Sequence, residues 1–140
     1  NMFYSIKKIK VNNEIVAKVF KFRKKKFKGI KFFTPNTENL QVGLMSHPTN
    51  HIIQPHYHKN KKKIIKHMSE LLIIYSGKLQ VFFYNKKMKR IKSIILNKKD
   101  MILLIKGSHG FKTLNKTEML EIKQGPFLGD KDKIRLQNFE

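Results

Sequence analysis

Short apolar runs, each closed by turn-forming residues, recur along the whole chain and leave no stretch with the length of an amphipathic helix. The runs are Ile15 to Phe22, Gly29 to Phe33, Gln41 to Met45, Ile52 to His58, Glu70 to Ser76, Lys78 to Tyr84, Arg90 to Leu96, Met101 to Ile105, Gly110 to Leu114 and Glu118 to Lys123. They are rich in Ile, Val, Phe and Tyr, which suit a pleated, half-buried surface. Ser76-Gly77-Lys78 reads as a tight turn, while Tyr84 to Met88 and Leu96 to Asp100 read as hairpin loops. Only Lys61 to Met68 has the makings of a helical turn or two. This pattern predicts an all-β chain folded as a double-sheet jelly roll with little helix.

A chain of 140 residues forms one domain that buries roughly two thirds of its unfolded surface, so its core needs no disulfide. Residues 1–35 supply N-terminal strands, 40–124 the core of the domain, and 125–140 a C-terminal wrap. There is no cysteine, which fits a reducing compartment. No run reaches the roughly 18 apolar residues of a membrane span, and the N-terminus lacks a signal-peptide apolar core. The expectation is a cytoplasmic protein without a membrane partner.

The formal charge of +22 raises the question of nucleic acid. Arginine, the better reader of phosphate and guanine, occurs only at Arg23, Arg90 and Arg135. The lysines cluster in turns (59–63, 86–89, 98–99) with no aromatic side chains between them to stack on bases. A solvated basic surface is therefore expected, and nucleic acid is not. The run from Lys21 to Lys28 is the one patch that keeps binding open, and it serves equally as a charged edge strand that resists aggregation.

The residues that carry chemistry are few. On an extended segment Gln54, His56 and His58 share one face, because side chains alternate. Glu70 opens the next strand, and His109 follows in the turn Lys106 to Phe111. Converging inside a sheet protein, three imidazoles and one carboxylate would suit a borderline divalent metal, Zn, Fe, Mn, Ni or Co, with open positions for a ligand. His67 is an alternative ligand three residues before Glu70. Gln54 would face a substrate from the ligand side. An inward Glu70 without a cation would be expensive to bury, so it argues for a metal or a proton. His47 and His51 read as solvent-exposed turn residues.

This spacing resembles the first motif of the cupin superfamily, in which His-x-His is followed by Glu, six residues and Gly. His56, His58, Glu70 and Gly77 match it, with the six-residue gap kept. The second motif resembles Asp100 to His109. The chain departs from the pattern where Asn50 replaces the opening glycine, where eleven residues (59–69) stand between His58 and Glu70, and where Leu104 and Thr113 replace a proline and an asparagine. Together with Gln54-Pro55-His56 and Glu121 to Pro126, these motifs look like a small single-domain bacterial cupin of poorly defined function. The resemblance implies a double-stranded β-helix, a closed jelly-roll barrel, usually dimeric and often metal-bearing, with His56, His58, Glu70 and His109 as ligands.

Glu121 and Lys123 share a face near the end of the last strand. Outward exposure is expected for the pair. Turned inward, Glu121 would serve as a base and Lys123 would hold an anionic substrate. Three functions compete. One is a metalloprotein acting on a carbohydrate derivative or a hydroxy or keto acid, by isomerase, epimerase or dioxygenase chemistry, with Glu70, Glu121 and Tyr84 as catalytic candidates. Another is metal-free acid–base chemistry on a sugar nucleotide through His56 or His109 with Tyr84. The third is a non-catalytic small-ligand module, which the same fold supports equally well.

Overall fold

The computed structural model describes residues 4–22 and 26–137. Ten strands follow in order: β1 (Tyr4–Val11), β2 (Glu14–Phe22), β3 (Gly29–Phe32), β4 (Gly43–Ser46), β5 (Glu70–Ser76), β6 (Lys78–Tyr84), β7 (Arg90–Asn97), β8 (Met101–Leu104), β9 (Ser108–Thr113) and β10 (Glu118–Lys123). A single 3₁₀ turn, Gly129–Asp132, comes after them. The protein is nearly all β, as expected, and every strand pairing is antiparallel.

The strands form a five-stranded sheet in the order β1-β2-β8-β5-β10, a three-stranded sheet β7-β6-β9, and the ribbon β3-β4. Ala17, Val19, Leu72, Ile74, Ile102 and Leu104 on one face of the large sheet share a buried core with Leu79, Val81, Phe83 and Leu96 of the small one. On the opposite face Phe20, Leu71 and Leu103 cluster with Val42 and Ile105, and Phe33 and Leu40 pack against them. The middle of β2 is therefore buried on both sides. Lys18 lies there, 4% exposed, with its ammonium 2.9 Å from Glu38 Oε1.

Turn chemistry follows the residues. At Gly77 φ is +85°, and a Cβ would fall on the Lys116 carbonyl and the Thr117 backbone, so only glycine fits between β5 and β6. Asn85 Oδ1 accepts from the Lys87 and Lys89 amides to shape the β6–β7 loop. Asp100 Oδ2 accepts from the Asn97 amide and lies 3.2 Å from Lys21 Nζ, closing the β7–β8 turn.

Four expectations need correction. The run Ile52 to His58 is not a strand. Residues 51–68 are irregular and exposed throughout, and among the described residues no backbone–backbone hydrogen bond involves 52–68. Their alternation would allow a strand, but nothing in the chain pairs with it. Lys61 to Met68 makes no helical turn. The sheets do not close into a barrel among the described residues, because β9 pairs only with β6 and β10 only with β5. The run from Lys21 to Lys28, of which 23–25 lie outside the described residues, is not an edge strand, since β2 ends at Phe22 and residues 26–28 belong to no strand.

Candidate functional site

Where the large and small sheets part at one end, a cavity of about 690 Å³ opens between them. The register explains which side chains reach it. Glu70 stands opposite Leu104 on β8 and Lys123 on β10, so it shares the core-facing side of the large sheet with Leu72 and Ile74. Leu72 pairs with Glu121. Glu121 and Lys123 thus lie on that same inward side and line the cavity, where Glu121 stays exposed, as expected, and Lys123 is half-buried. From the opposing sheet His109 stands opposite Phe83 and points to the core side.

Glu70 and His109 meet across the gap between sheets, with Nε2 3.5 Å from Oε2, and are 15% and 25% exposed at their side chains. The neighbouring His109 imidazole, as a hydrogen-bonding partner first and a charge second, holds the Glu70 carboxyl below its ordinary value. Lys123 and Lys133 pull in the same direction, and partial burial opposes them. Glu70 is thereby favoured as a carboxylate, half enclosed, and it faces the His109 ring across the gap.

The end of the chain completes the walls. Phe127, Asp132, Lys133 and Arg135 line the cavity, so the exposed segment after 125 wraps over the mouth of the site. Gly129, at φ +68°, helps bend the chain back over it. Asp132 and Lys133 escaped the sequence reading because they lie in a segment without periodicity, and only the Gly125-Pro126 and Gly129 breaks hint at its return. Gln124 Oε1 accepts from the Ser69 amide, pinning β10 to the start of β5.

Tyr84 reaches the cavity by another route. It lies opposite Ser108 and therefore on the other face of the small sheet from His109. The Tyr84 and Phe82 rings lie beside Gly110 of β9. Residues from both faces of β9 consequently line one cavity, which is the signature of an unpaired strand edge.

The structure brings together Glu70, His109, Glu121, Lys123 and Tyr84 around this space. Gln54, His56, His58 and His67 are exposed on the 51–68 segment and do not line it. The His56 ring hydrogen-bonds through Nδ1 to the Gln54 carbonyl at 2.9 Å and meets the His58 ring edge-on at 5.4 Å. His47 is half-buried and stacks on His51 with ring centroids 4.1 Å apart. Among the described residues no three His, Asp or Glu side chains gather closely enough to hold a metal. Of the donors that line the cavity only Glu70 and His109 come together, while Glu121 and Asp132 stand apart from them, which falls short of the three or four protein ligands of a transition-metal site.

No helix of the structure is long and apolar enough to cross a membrane. No family model, curated protein or solved structure matches the chain.

Proposed function

We propose that this chain is a cupin-like jelly roll whose cavity binds a small polar molecule, a carbohydrate derivative or a hydroxy or keto acid, and moves a proton on it. The observation that carries this reading is the Glu70–His109 contact inside a cavity of ligand size. A carboxylate behind an imidazole fixes the ring's orientation, leaving the other ring nitrogen to exchange a proton with a ligand. Glu70, held ionised, is the positioning group and His109 the acid–base group. Lys123 on the same wall would hold an anionic substituent, and Glu121, two residues away on that wall, is the second candidate base.

Two further details favour the cupin reading of the fold. Two sheets share one core, as a jelly roll requires. Asn50, standing where the motif has glycine, adopts φ +61°, the left-handed region that glycine occupies freely and asparagine tolerates.

A divalent Zn, Fe, Mn, Ni or Co ion is a second reading, favoured by the chemistry of the pair itself, since Glu70 and His109 are both good donors for such ions. When bound, such an ion polarises a carbonyl or acidifies a bound water. The remaining ligands would have to come from His56 and His58, or His67, so no step is assigned to a metal within the single chain.

Proton chemistry is tested by incubating the protein in deuterated water with a panel of sugars and hydroxy and keto acids and following carbon-bound hydrogen by NMR. Exchange that His109→Ala abolishes and Glu70→Gln slows supports the reading. Ligand binding without exchange for every compound would instead identify a non-catalytic binding module.

A further inference from the structure

Charge is divided unevenly between the two sheets. Every Asp and Glu of the chain lies outside residues 77–99 and 105–117, the stretches that hold β6, β7 and β9 with their flanking turns. These same stretches carry eleven lysines and arginines. The three-stranded sheet is therefore cationic throughout, and an extended anion is the class of partner that its field attracts.

Pairing decides what its outer face presents. Leu79, Val81 and Phe83 of β6 turn to the core, so Gln80 and Phe82 turn away from it. Ser93 of β7 and Gly110 of β9 stand opposite Phe82, and Lys112 stands opposite Gln80. A groove of about 710 Å³ lies on this face, lined by Gln80, Phe82, Arg90, Ser93 and Lys112 among others, and by no Asp or Glu. Phe82 also borders the cavity of Glu70 and His109, whereas Gln80, Arg90, Ser93 and Lys112 line only the groove.

The Arg90 guanidinium lies 4.8 Å from the centre of the Phe82 ring. A planar cation held over a ring is a platform on which a flat heterocycle stacks, while its edges donate to phosphate. Beside it Gln80 Nε2 is 3.4 Å from Ser93 Oγ, an amide and a hydroxyl of the kind that pair with base edges. Along the chain the lysine clusters have no aromatic neighbours, the ground on which nucleic acid is not expected. Across the strands cation and ring alternate, with Arg90 from β7, Phe82 from β6 and Lys112 from β9.

We propose that the outer face of the small sheet binds single-stranded nucleic acid, with a base stacked on the Arg90–Phe82 pair and the flanking phosphates held by Arg90, Lys112 and the exposed lysines of the 85–89 loop. A strand of seven residues, as β6 is, spans about 23 Å, and sheet platforms take two or three bases. A duplex keeps its base faces stacked away from such a surface, and the described residues hold no α-helix to enter a groove. A lipid surface would leave Gln80 and Ser93 against hydrocarbon without partners. The proposal is independent of the Glu70–His109 chemistry and stands if that reading falls.

The test is fluorescence anisotropy with labelled DNA and RNA single strands of about 15 nucleotides at about 0.15 M salt. Saturable binding is expected. Arg90→Ala/Lys112→Ala, at two exposed positions, is expected to weaken it roughly tenfold or more and to flatten the slope of log affinity against log salt by about 1.4. Phe82→Leu, which keeps an apolar side chain and removes the ring, is expected to weaken it about fivefold or more. Lys61→Ala/Lys62→Ala removes the same charge from the segment 51–68 and is expected to leave affinity within about twofold. No binding at this salt, an equal loss in that last variant, or tighter binding of a duplex of the same length overturns the proposal. So does displacement of the strand by polyphosphate or anionic vesicles as readily as by unlabelled strand, because the face would then attract charge alone.

Discussion

Strand β2 and the arm 51–68 have similar raw material, aliphatic and aromatic side chains interrupted by lysines, and opposite fates. In β2 the residues Val16 to Phe20 are all buried, and even Lys18 is taken into the interior against Glu38. In the arm Ile52, Tyr57 and Ile64 stand in water. The difference is neighbours. β2 has β1 on one edge and β8 on the other, with packed side chains on both faces, whereas the arm has no strand on either side. Apolar content makes burial favourable, and pairing decides whether it happens.

The sharpest way to break this contrast is to remove the partner of the buried lysine. Glu38→Ala leaves an uncompensated ammonium inside and is expected to destabilise by about 3 kcal/mol or more, read as a lowered denaturant midpoint. Gly77→Ala forces a Cβ against backbone in a left-handed conformation and is expected to destabilise by roughly 2 kcal/mol, through strain and displacement of the 116–117 turn.

Glu70→Gln comes next and separates itself by pH. The folded-state value of Glu70 is lowered, so its ionised form contributes stability above the ordinary carboxylate range and loses it as pH falls through the lowered value. The wild type should exceed the variant near neutrality, and the two curves of unfolding free energy should converge in acid. A constant gap across that range would show that His109 does not hold the carboxylate ionised.

The smallest effect is expected in the arm. Ile64→Ser should change unfolding by no more than about 0.5 kcal/mol, as for other exposed positions. A larger loss would mean that the arm is packed after all.

Much of this contrast was legible in the residues. The runs Glu70 to Ser76, Lys78 to Tyr84 and Glu118 to Lys123 coincide with β5, β6 and β10. β1 was harder to read, because its apolar residues serve two faces, with Ile6 packed against the Phe20 cluster and Ile9 and Val11 in the other core. The inward direction of Glu121 and Lys123 is set by pairing with β5, which alternation along one strand cannot reveal. Glu70 and His109 stood out by type and spacing, and the structure joins them. Their proposed companions His56 and His58 stay apart, because a face shared along a segment does not supply the strand edge it must pair with.

The arm is a loop held at both roots and not a loose tail. Its upstream root follows β4, and near its downstream end the Asn39 side-chain amide grips the His67 carbonyl at 3.1 Å. A doubled-back span of eighteen residues extends about 30 Å at most. Whatever it touches must therefore approach within that tether, so the range of orientations open to an incoming body is set before contact is made.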